Sequence, residues 1–377
     1  MVHDPRIVRD EAQIEVLRQT IPDWIRHMRR PPTPSLMPGF GPLEGIRAVG
    51  TGILVAQPYI GTKLAEFGAE VIHVERHGGD TFRVTAPFIT RGGRPHGADE
   101  AEVAKNKLSL GLDLRHARGR EVLMALWKIS DVWMESSAPG TLERIGLTNE
   151  LALAVNPRLV IVRISTYGQY GEPDYLARPG YDALAQAYGG MMSITGDPAG
   201  PPQRAKTYTG DYITALTGWA ATMMGLWEVQ KTGRGQVIDL AQYEAVAQTG
   251  GNTLPLYTAE GATYGHTGNR APGFQPYDTF QCADGWVFIG ASVVQFTHEF
   301  QFSSASIPRS TVSRPVQKML RQSTPPRAAN STVACANTAP RDQLRKWRPN
   351  STTPRSPARA SLEYGNNTST HTTPHAK

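Results

Sequence analysis

The chain has 377 residues, of which 40% are hydrophobic and 19% are charged, a composition that excludes a globally disordered or membrane-embedded protein. No run of about 18 apolar residues predicts a membrane span, and the charged N-terminus is unlike a secretory signal peptide. Cys282 and Cys335 are the two cysteines, too few for a disulfide framework or a four-cysteine zinc site. We therefore expect a reduced, cytoplasmic protein without a metal centre.

The first 41 residues predict a short helical extension and a linker. Apolar residues recur at helical spacing over residues 14–25, with Pro22 interrupting the helix. The following segment, RPPTPSLMPGFGP, is rich in proline and glycine and is typical of a linker.

The main domain is predicted to cover residues 42–291 and to alternate strands with helices. In chain order we predict a strand at 45–49, a helix at 57–67, strands at 70–75 and 108–112, a helix at 119–129, strands at 131–134 and 159–165, a long helix at 211–229 and a strand at 237–240. Nearly continuous apolar strands in this order are typical of a parallel sheet covered by helices. The predicted fold class is α/β, a Rossmann-like open parallel sheet with flanking helices.

The composition changes near residue 292. From residue 301 onward the sequence contains 12 lysines and arginines but only two acidic residues, so this part has a net charge of +10. The preceding 300 residues have a net charge of −4. Serine, threonine and proline supply 30 of the last 77 residues, which predicts a disordered, low-complexity basic tail over 292–377. A tail that binds nucleic acid is disfavoured because aromatic residues that stack on bases are scarce. A shifted reading frame is another origin for this composition.

The first turn after a strand, VGTGILVAQP, resembles a dinucleotide-binding turn. Gly50 and Gly52 have the expected spacing. Glu75 is the last residue of the next predicted strand, the position at which dinucleotide-binding proteins have an acidic residue that binds the ribose. Val55 occupies the place of the third glycine, however, and a tight turn needs glycine whatever it binds. NAD binding is therefore a minor alternative.

Five segments are more specific in combination than alone. They are GAEVIHVE (68–75), DTFRV (80–84), LERIG (142–146), YTGDYITAL (208–216) and TGRGQVIDLAQYEA (232–245). In this order the chain resembles the class III CoA-transferases, which include formyl-CoA:oxalate and crotonobetainyl-CoA:carnitine CoA-transferases, and the carnitine branch most of all. The resemblance implies a homodimer that exchanges coenzyme A between an acyl-CoA and a small carboxylic acid, without a tightly bound cofactor.

The resemblance also implies site residues. Asp211 in YTGDY matches the family's carboxylate nucleophile, although its place before a long helix by itself favours an ordinary N-cap. Arg83 and Arg144, with Lys105 or Lys107, are the implied partners of the CoA phosphates, which cationic side chains bind well.

Three further residues complete the candidate CoA-binding set. Tyr181 stands thirty residues before Asp211, where α-methylacyl-CoA racemases of this family have a histidine. Because an ordinary tyrosine is a poor proton shuttle near neutral pH, racemisation is the less favoured activity. Gly189 and Gly190 would allow the backbone to approach a thioester, although glycine pairs also mark turns.

Some features depart from the family pattern. Ser136 stands where many transferases have asparagine, and Cys282, on a predicted hairpin, is expected to pack rather than to react. Residues 292–377 do not resemble the family's C-terminal part. A truncated, inactive CoA-binding protein is therefore a third alternative to the transferase and the racemase.

Overall fold

In a computed structural model of the chain, the residues described are 10–31, 36–263, 265–271, 274, 276–282 and 284–290. They divide into two units, the first ending at Gly268 and the second beginning at Asn269. The predicted basic tail at 292–377, including Cys335, lies outside the described residues.

The described residues form an α/β structure, as the sequence predicts. The helices are α1 (Glu11–Arg18), α2 (Asp23–Arg26), α3 (Ala56–Glu66), α4 (Ala98–Val103), α5 (Ala117–Ile129), α6 (Asn149–Val155), α7 (Pro173–Leu176), α8 (Asp182–Tyr188), α9 (Met191–Ile194), α10 (Thr209–Thr232), α11 (Gln242–Ala247) and α12 (Thr253–Glu260). The strands are β1 (Arg47–Gly50), β2 (Glu70–Glu75), β3 (Phe88–Arg91), β4 (Arg94–Gly97), β5 (Leu108–Gly111), β6 (Val132–Glu135), β7 (Val160–Ser165), β8 (Val237–Ala241), β9 (Tyr277–Cys282) and β10 (Gly285–Gly290).

Six strands form one parallel sheet in the order β5-β2-β1-β6-β7-β8. From β1 in the middle, the chain first builds outward through β2 to β5 and then returns to build β6, β7 and β8 on the other side. The direction of building therefore reverses between β1 and β6. In open α/β sheets, ligands bind at the carboxyl ends of the strands beside such a reversal.

Helices cover both faces of the sheet, which explains why its central strands are apolar throughout. On one face, Leu123 and Trp127 of α5 pack with the N-terminal helix α1 and with α6. On the other face, Ile60 and Leu64 of α3 pack with Ala215 of α10. The predicted N-terminal helix is thus confirmed as two helices, and Ile14 of α1 is fully buried.

Two hairpins lie outside the parallel sheet. The predicted hairpin around Cys282 is confirmed as the antiparallel pair β9 and β10 of the second unit, and Cys282 is half-buried at the end of β9. The hairpin of β3 and β4 was not predicted, because all of its strand residues except Gly97 are exposed and they lack an apolar pattern.

Candidate functional site

A cavity of about 380 Å³ opens at the carboxyl ends of the sheet strands, a volume in the usual range for small-molecule sites. Its wall contains Gly52 after β1, Ser136 after β6, Thr166 after β7 and Gln242 after β8, together with Asp211 from the first turn of α10. The cavity therefore lies where the sheet topology predicts a ligand site.

Asp211 lies at the buried end of this cavity and is 8% exposed. The residue in the N-cap position of α10 is Tyr208, in a left-handed conformation, so Asp211 is inside the first helical turn and the N-cap interpretation is wrong. Asp182 of α8 occupies the capping role instead: its Oδ1 accepts hydrogen bonds from the backbone N–H groups of Gly210 at 2.7 Å and Asp211 at 3.2 Å. The Asp211 carboxylate is thereby left available for other contacts.

The surroundings of Asp211 favour its protonated form. Burial, followed by repulsion from Asp182, raises the pKa of Asp211 from 3.8 to about 7, against a hydrogen bond from Gln242 that lowers it. Asp182 itself accepts a hydrogen bond from Gln186 and lies 3.8 Å from the guanidinium of Arg204. A carboxyl group with a pKa near neutrality in a cavity is a candidate for catalysis.

Gln242 connects Asp211 to the end of β7. Its Nε2 donates a hydrogen bond to Oδ1 of Asp211, and its Oε1 accepts one from the hydroxyl of Thr166 at 2.8 Å. Thr166 and Gln242 are both buried. Within the described residues, Oδ2 of Asp211 accepts no hydrogen bond, so this oxygen is available to a bound molecule.

Three successive N–H groups in the first turn after β1 are already bonded within the protein. The N–H of Gly52 donates to Oε1 of Gln57 at 2.8 Å, and the next two N–H groups donate to Oγ of Ser136 at 3.3 Å and to Oδ2 of Asp80 at 2.9 Å. Glu75, the expected ribose ligand, is buried and accepts hydrogen bonds from its own neighbours. These contacts disfavour the dinucleotide alternative at this turn.

Arg83 and Arg144, the predicted CoA-binding arginines, have different surroundings. Arg83 forms a bidentate ion pair with Glu75, with distances of 2.7 and 2.6 Å, and a second pair with Glu100 at 3.1 Å. Arg144 is exposed and donates to the hydroxyl of Thr141 at 3.2 Å, and Thr141 lines the cavity. Of the two arginines, Arg144 is the one next to the cavity wall.

Lys105 and Lys107 lie outside the cavity lining. Lys105 is paired with Glu66 at 3.2 Å and with Glu102 at 3.1 Å. Lys107 donates to the backbone carbonyls of Pro58 and Val103, and burial lowers its pKa to about 7.

The remaining candidates fall in two places. Tyr181 lines the cavity and is 61% exposed. Gly189 and Gly190 join α8 to α9 and are not part of the lining. An added Cβ at Gly189 would lie 2.6 Å from the carbonyl oxygen of Tyr243, whereas Gly190 has a φ of 83° and open space around it. Both glycines have a structural explanation in the turn.

Four tyrosines form a cluster beside the cavity, which the sequence did not predict. They are Tyr167, Tyr175, Tyr188 and Tyr243, with ring centroids 5.0 to 6.5 Å apart in the contacting pairs. Tyr167 lines the cavity, and the guanidinium of Arg178 lies 4.4 Å from the ring centroid of Tyr175.

Sequence reasoning also missed Thr166, Asp182 and Gln242. One signal was available for two of them, because Thr166 and Gln242 directly follow apolar strands, and residues at strand ends form the ligand sites of parallel sheets. Asp182 follows no comparable pattern. Among the described residues, no group of three histidine, cysteine, aspartate or glutamate side chains is arranged to bind a metal ion. The helices of the described part are too short or too polar to cross a lipid bilayer.

The sequence matches CoA-transferase family III over residues 43–303. It is 37% identical to the bile acid CoA-transferase BaiK of Clostridium scindens over 256 residues, which cover 67% of this chain and 55% of that protein. It is 34% identical to the L-carnitine CoA-transferase of Proteus mirabilis, covering 67% and 59% of the two chains. The chain thus spans between half and three-fifths of the length of these curated relatives. Among solved structures, a CAIB/BAIF family protein from Brucella suis aligns with a TM-score of 0.68 at 30% identity, covering 81% of each chain.

Proposed function

The chain belongs to CoA-transferase family III, and from this premise we propose that it transfers coenzyme A from an acyl-CoA thioester to a carboxylic acid, with Asp211 as the nucleophile. The observation behind the proposal is the buried Asp211 carboxylate at the cavity, with one oxygen bonded to Gln242 and the other available. The identities of the curated relatives, both CoA-transferases, agree with it.

The proposed reaction has two symmetrical halves. Oδ2 of Asp211 attacks the thioester carbonyl of the donor, the C–S bond breaks, and CoA thiolate leaves a mixed anhydride on Asp211. The thiolate then attacks the Asp211 carbonyl carbon, releases the donor acid as a carboxylate, and forms an Asp211–CoA thioester. The acceptor carboxylate repeats these two steps in reverse order, which yields the new acyl-CoA and restores the Asp211 carboxylate.

The environment of Asp211 suits this chemistry. A carboxylate that is largely removed from water has less solvation to lose when it attacks a carbonyl carbon. The same burial raises the pKa of Asp211 to about 7, so the reactive ionised form increases as the pH rises through neutrality. We therefore expect turnover to require the deprotonated side chain.

We propose that the cationic side chains near the cavity bind the CoA phosphates. Arg144 is exposed beside Thr141 of the cavity wall and has no acidic partner among the described residues, which makes it the first candidate. Arg83, Lys105 and Lys107 would have to exchange their present hydrogen bonds for phosphate oxygens. Arg144→Gln is accordingly expected to raise KM for acyl-CoA more than Arg83→Gln does.

We propose a small carboxylic acid as the acceptor, with carnitine and crotonobetaine as the first compounds to test. The tyrosine cluster supports a cationic or apolar acceptor, because aromatic faces attract quaternary ammonium groups. Tyr167 is the member of the cluster that lines the cavity. A homodimer in the cytoplasm is part of the same proposal, and light scattering on the purified protein measures the oligomeric state.

Racemisation is the second candidate activity, and the cavity favours it less. A racemase needs a second acid or base that can exchange a proton near neutral pH. The described residues that line the cavity include no histidine, and the position that would supply it is Tyr181.

The test is a transfer assay on the full chain with crotonobetainyl-CoA as donor and carnitine or other carboxylates as acceptors, with new acyl-CoA followed by chromatography. The proposal predicts transfer by the wild-type protein and its loss in Asp211→Asn. A matched control is Asp174→Asn, since Asp174 is exposed in the first turn of α7 and has no partner in the described part of the chain. Unchanged transfer by Asp211→Asn would overturn the proposal. Exchange of the α-proton without an acceptor would indicate a racemase, and CoA binding without either reaction an inactive protein.

A further inference from the structure

Gln242, Thr166 and Gly180 form a contact set that leads away from Asp211: Gln242 contacts Asp211, Thr166 contacts Gln242, and Gly180 contacts Thr166. Thr166 immediately follows β7, Gln242 is the first residue of α11, and both side chains are buried. Gly180 is half-buried, lines the cavity and lies against Thr166. The fold therefore brings three separate segments together near the Asp211 carboxylate.

The hydrogen bonds of this set run in one direction. An ionised carboxylate accepts hydrogen bonds only, so Asp211 selects the orientation of the Gln242 amide that points Nε2 toward it. The opposite end of the amide, Oε1, then needs a donor, and the Thr166 hydroxyl supplies it at 2.8 Å. Donation to Oε1 polarises the amide and strengthens the bond from Nε2 to Oδ1 of Asp211.

Gly180 makes room for the Thr166 side chain. A Cβ added at Gly180 would lie 2.0 Å from Oγ1 of Thr166 and 2.2 Å from its Cβ. Contacts that short do not occur between side chains, so any larger residue at position 180 would displace the Thr166 hydroxyl. The absence of a side chain at this position is thus part of the arrangement.

We propose that Gln242, oriented by the Thr166 hydroxyl, is a positioning residue that fixes the Asp211 carboxylate with Oδ1 occupied and Oδ2 directed to the bound thioester. The proposal rests on the proposed function of Asp211. Gln242 does not react itself. It restricts the carboxylate to one orientation, so that the attacking oxygen is already in place when the acyl group binds.

The groups that face Asp211 act in opposite senses. Asp182 of α8, the charged group whose repulsion acts on it, favours the protonated form, while Gln242 favours the ionised form. Arg204, at 3.8 Å from Asp182, partly compensates the charge of that residue. Removing the amide of Gln242 should therefore both loosen the carboxylate and shift its ionisation to higher pH.

The experiment compares Gln242→Met, which has similar size and no amide, with Gln248→Met, an exposed glutamine at the end of the same helix. Because a hydrogen bond to a charged group is lost, the kcat of Gln242→Met is expected to fall about 10- to 100-fold at pH 7. The ascending limb of its pH profile should move up by about one to two pH units, while KM for acyl-CoA stays within about twofold. Gln248→Met should behave as wild type.

Substitutions at Thr166 test the orientation of Gln242 with a smaller change to the site. Thr166→Val removes the hydroxyl at nearly constant size, whereas Thr166→Ser retains it. We expect Thr166→Val to lower kcat about 3- to 10-fold, as for one weakened hydrogen bond, and Thr166→Ser to restore most of the loss. This pair keeps the test decisive where Gln242→Met folds poorly.

A carbon-13 NMR titration of the Asp211 carboxyl, assigned by the resonance that Asp211→Asn lacks, measures the same effect without turnover. The inference predicts a higher Asp211 pKa in Gln242→Met and in Thr166→Val. Unchanged pKa and unchanged kcat profile in both variants, with Asp211 still essential, would overturn the inference alone. Normal CoA transfer by the Asp211→Asn variant would overturn the proposed function instead.

Discussion

Replacing Asp211 by asparagine is expected to stabilise the folded protein, and the gain is expected to increase with pH. The pKa of Asp211 is raised from 3.8 to about 7 in the folded protein, so the folded state binds a proton more tightly than the unfolded state. Stability is therefore lost as the pH rises from the unfolded pKa to the folded one, and the full loss is reached above about pH 7. Asparagine is neutral at every pH and avoids this cost.

The size of the effect follows from the pKa difference. About three pKa units correspond to about 4 kcal/mol of destabilisation at pH 8 and to about 1.6 kcal/mol at pH 5. The asparagine side chain can still accept the hydrogen bond from Gln242, so that contact changes little. We therefore expect the stability difference between Asp211→Asn and wild type to grow by about 2–3 kcal/mol between pH 5 and pH 8.

Urea unfolding followed by circular dichroism at several pH values between 4 and 8 measures this difference. The Asp174→Asn variant, at an exposed aspartate in another helix, serves as the control. An Asp211→Asn effect that is independent of pH, or one that becomes destabilising at pH 8, would refute the electrostatic reasoning. The expected result would mean that the site is maintained at a cost in stability.

Two further predictions concern packing and charge away from the nucleophile. Gly97→Ala is expected to destabilise the folded protein by about 1–3 kcal/mol, because the added Cβ would lie 1.7 Å from a backbone oxygen. Gly111→Ala is the matched control, because a Cβ at Gly111 would meet open space. Equal urea midpoints for the two variants would contradict this prediction. Arg163→Met is expected to cost about 3–5 kcal/mol because it leaves Glu135 buried without its ion-pair partner. The double variant Arg163→Met/Glu135→Gln should lose less in the same measurement, and a larger loss would show that the charge of Glu135 is not the cause.

The parallel sheet could be predicted because its strands are buried on both sides. Residues 160–164 are apolar apart from Arg163, and the predicted and observed boundaries of the strand differ by one residue. The exposed hairpin of residues 88–97 has no such pattern, because its formation does not depend on burying apolar side chains. Local sequence therefore predicts the layers well and the surface hairpin poorly.

The site was predictable only in part, since its contacts join distant segments. The family motif predicts that Asp211 matters, but nothing in the sequence near it indicates that Asp182, rather than Asp211, caps α10. Gln242 is 31 residues from Asp211, and no spacing rule connects a glutamine after one strand to a carboxylate in a helix. The partners of Arg83 could not be predicted either, because an arginine that can bind a phosphate can equally bind the carboxylate of Glu75.

Trapping the proposed intermediate tests most directly whether Asp211 is the nucleophile. Incubation of the full chain with acyl-CoA, followed by hydroxylamine and peptide mass spectrometry, converts an activated aspartyl group into a hydroxamate at the residue that formed it. We expect a hydroxamate on Asp211 that depends on acyl-CoA and is absent in Asp211→Asn. Formation of the new acyl-CoA with Asp211 unmodified, or with the label on another residue, would contradict this role of Asp211.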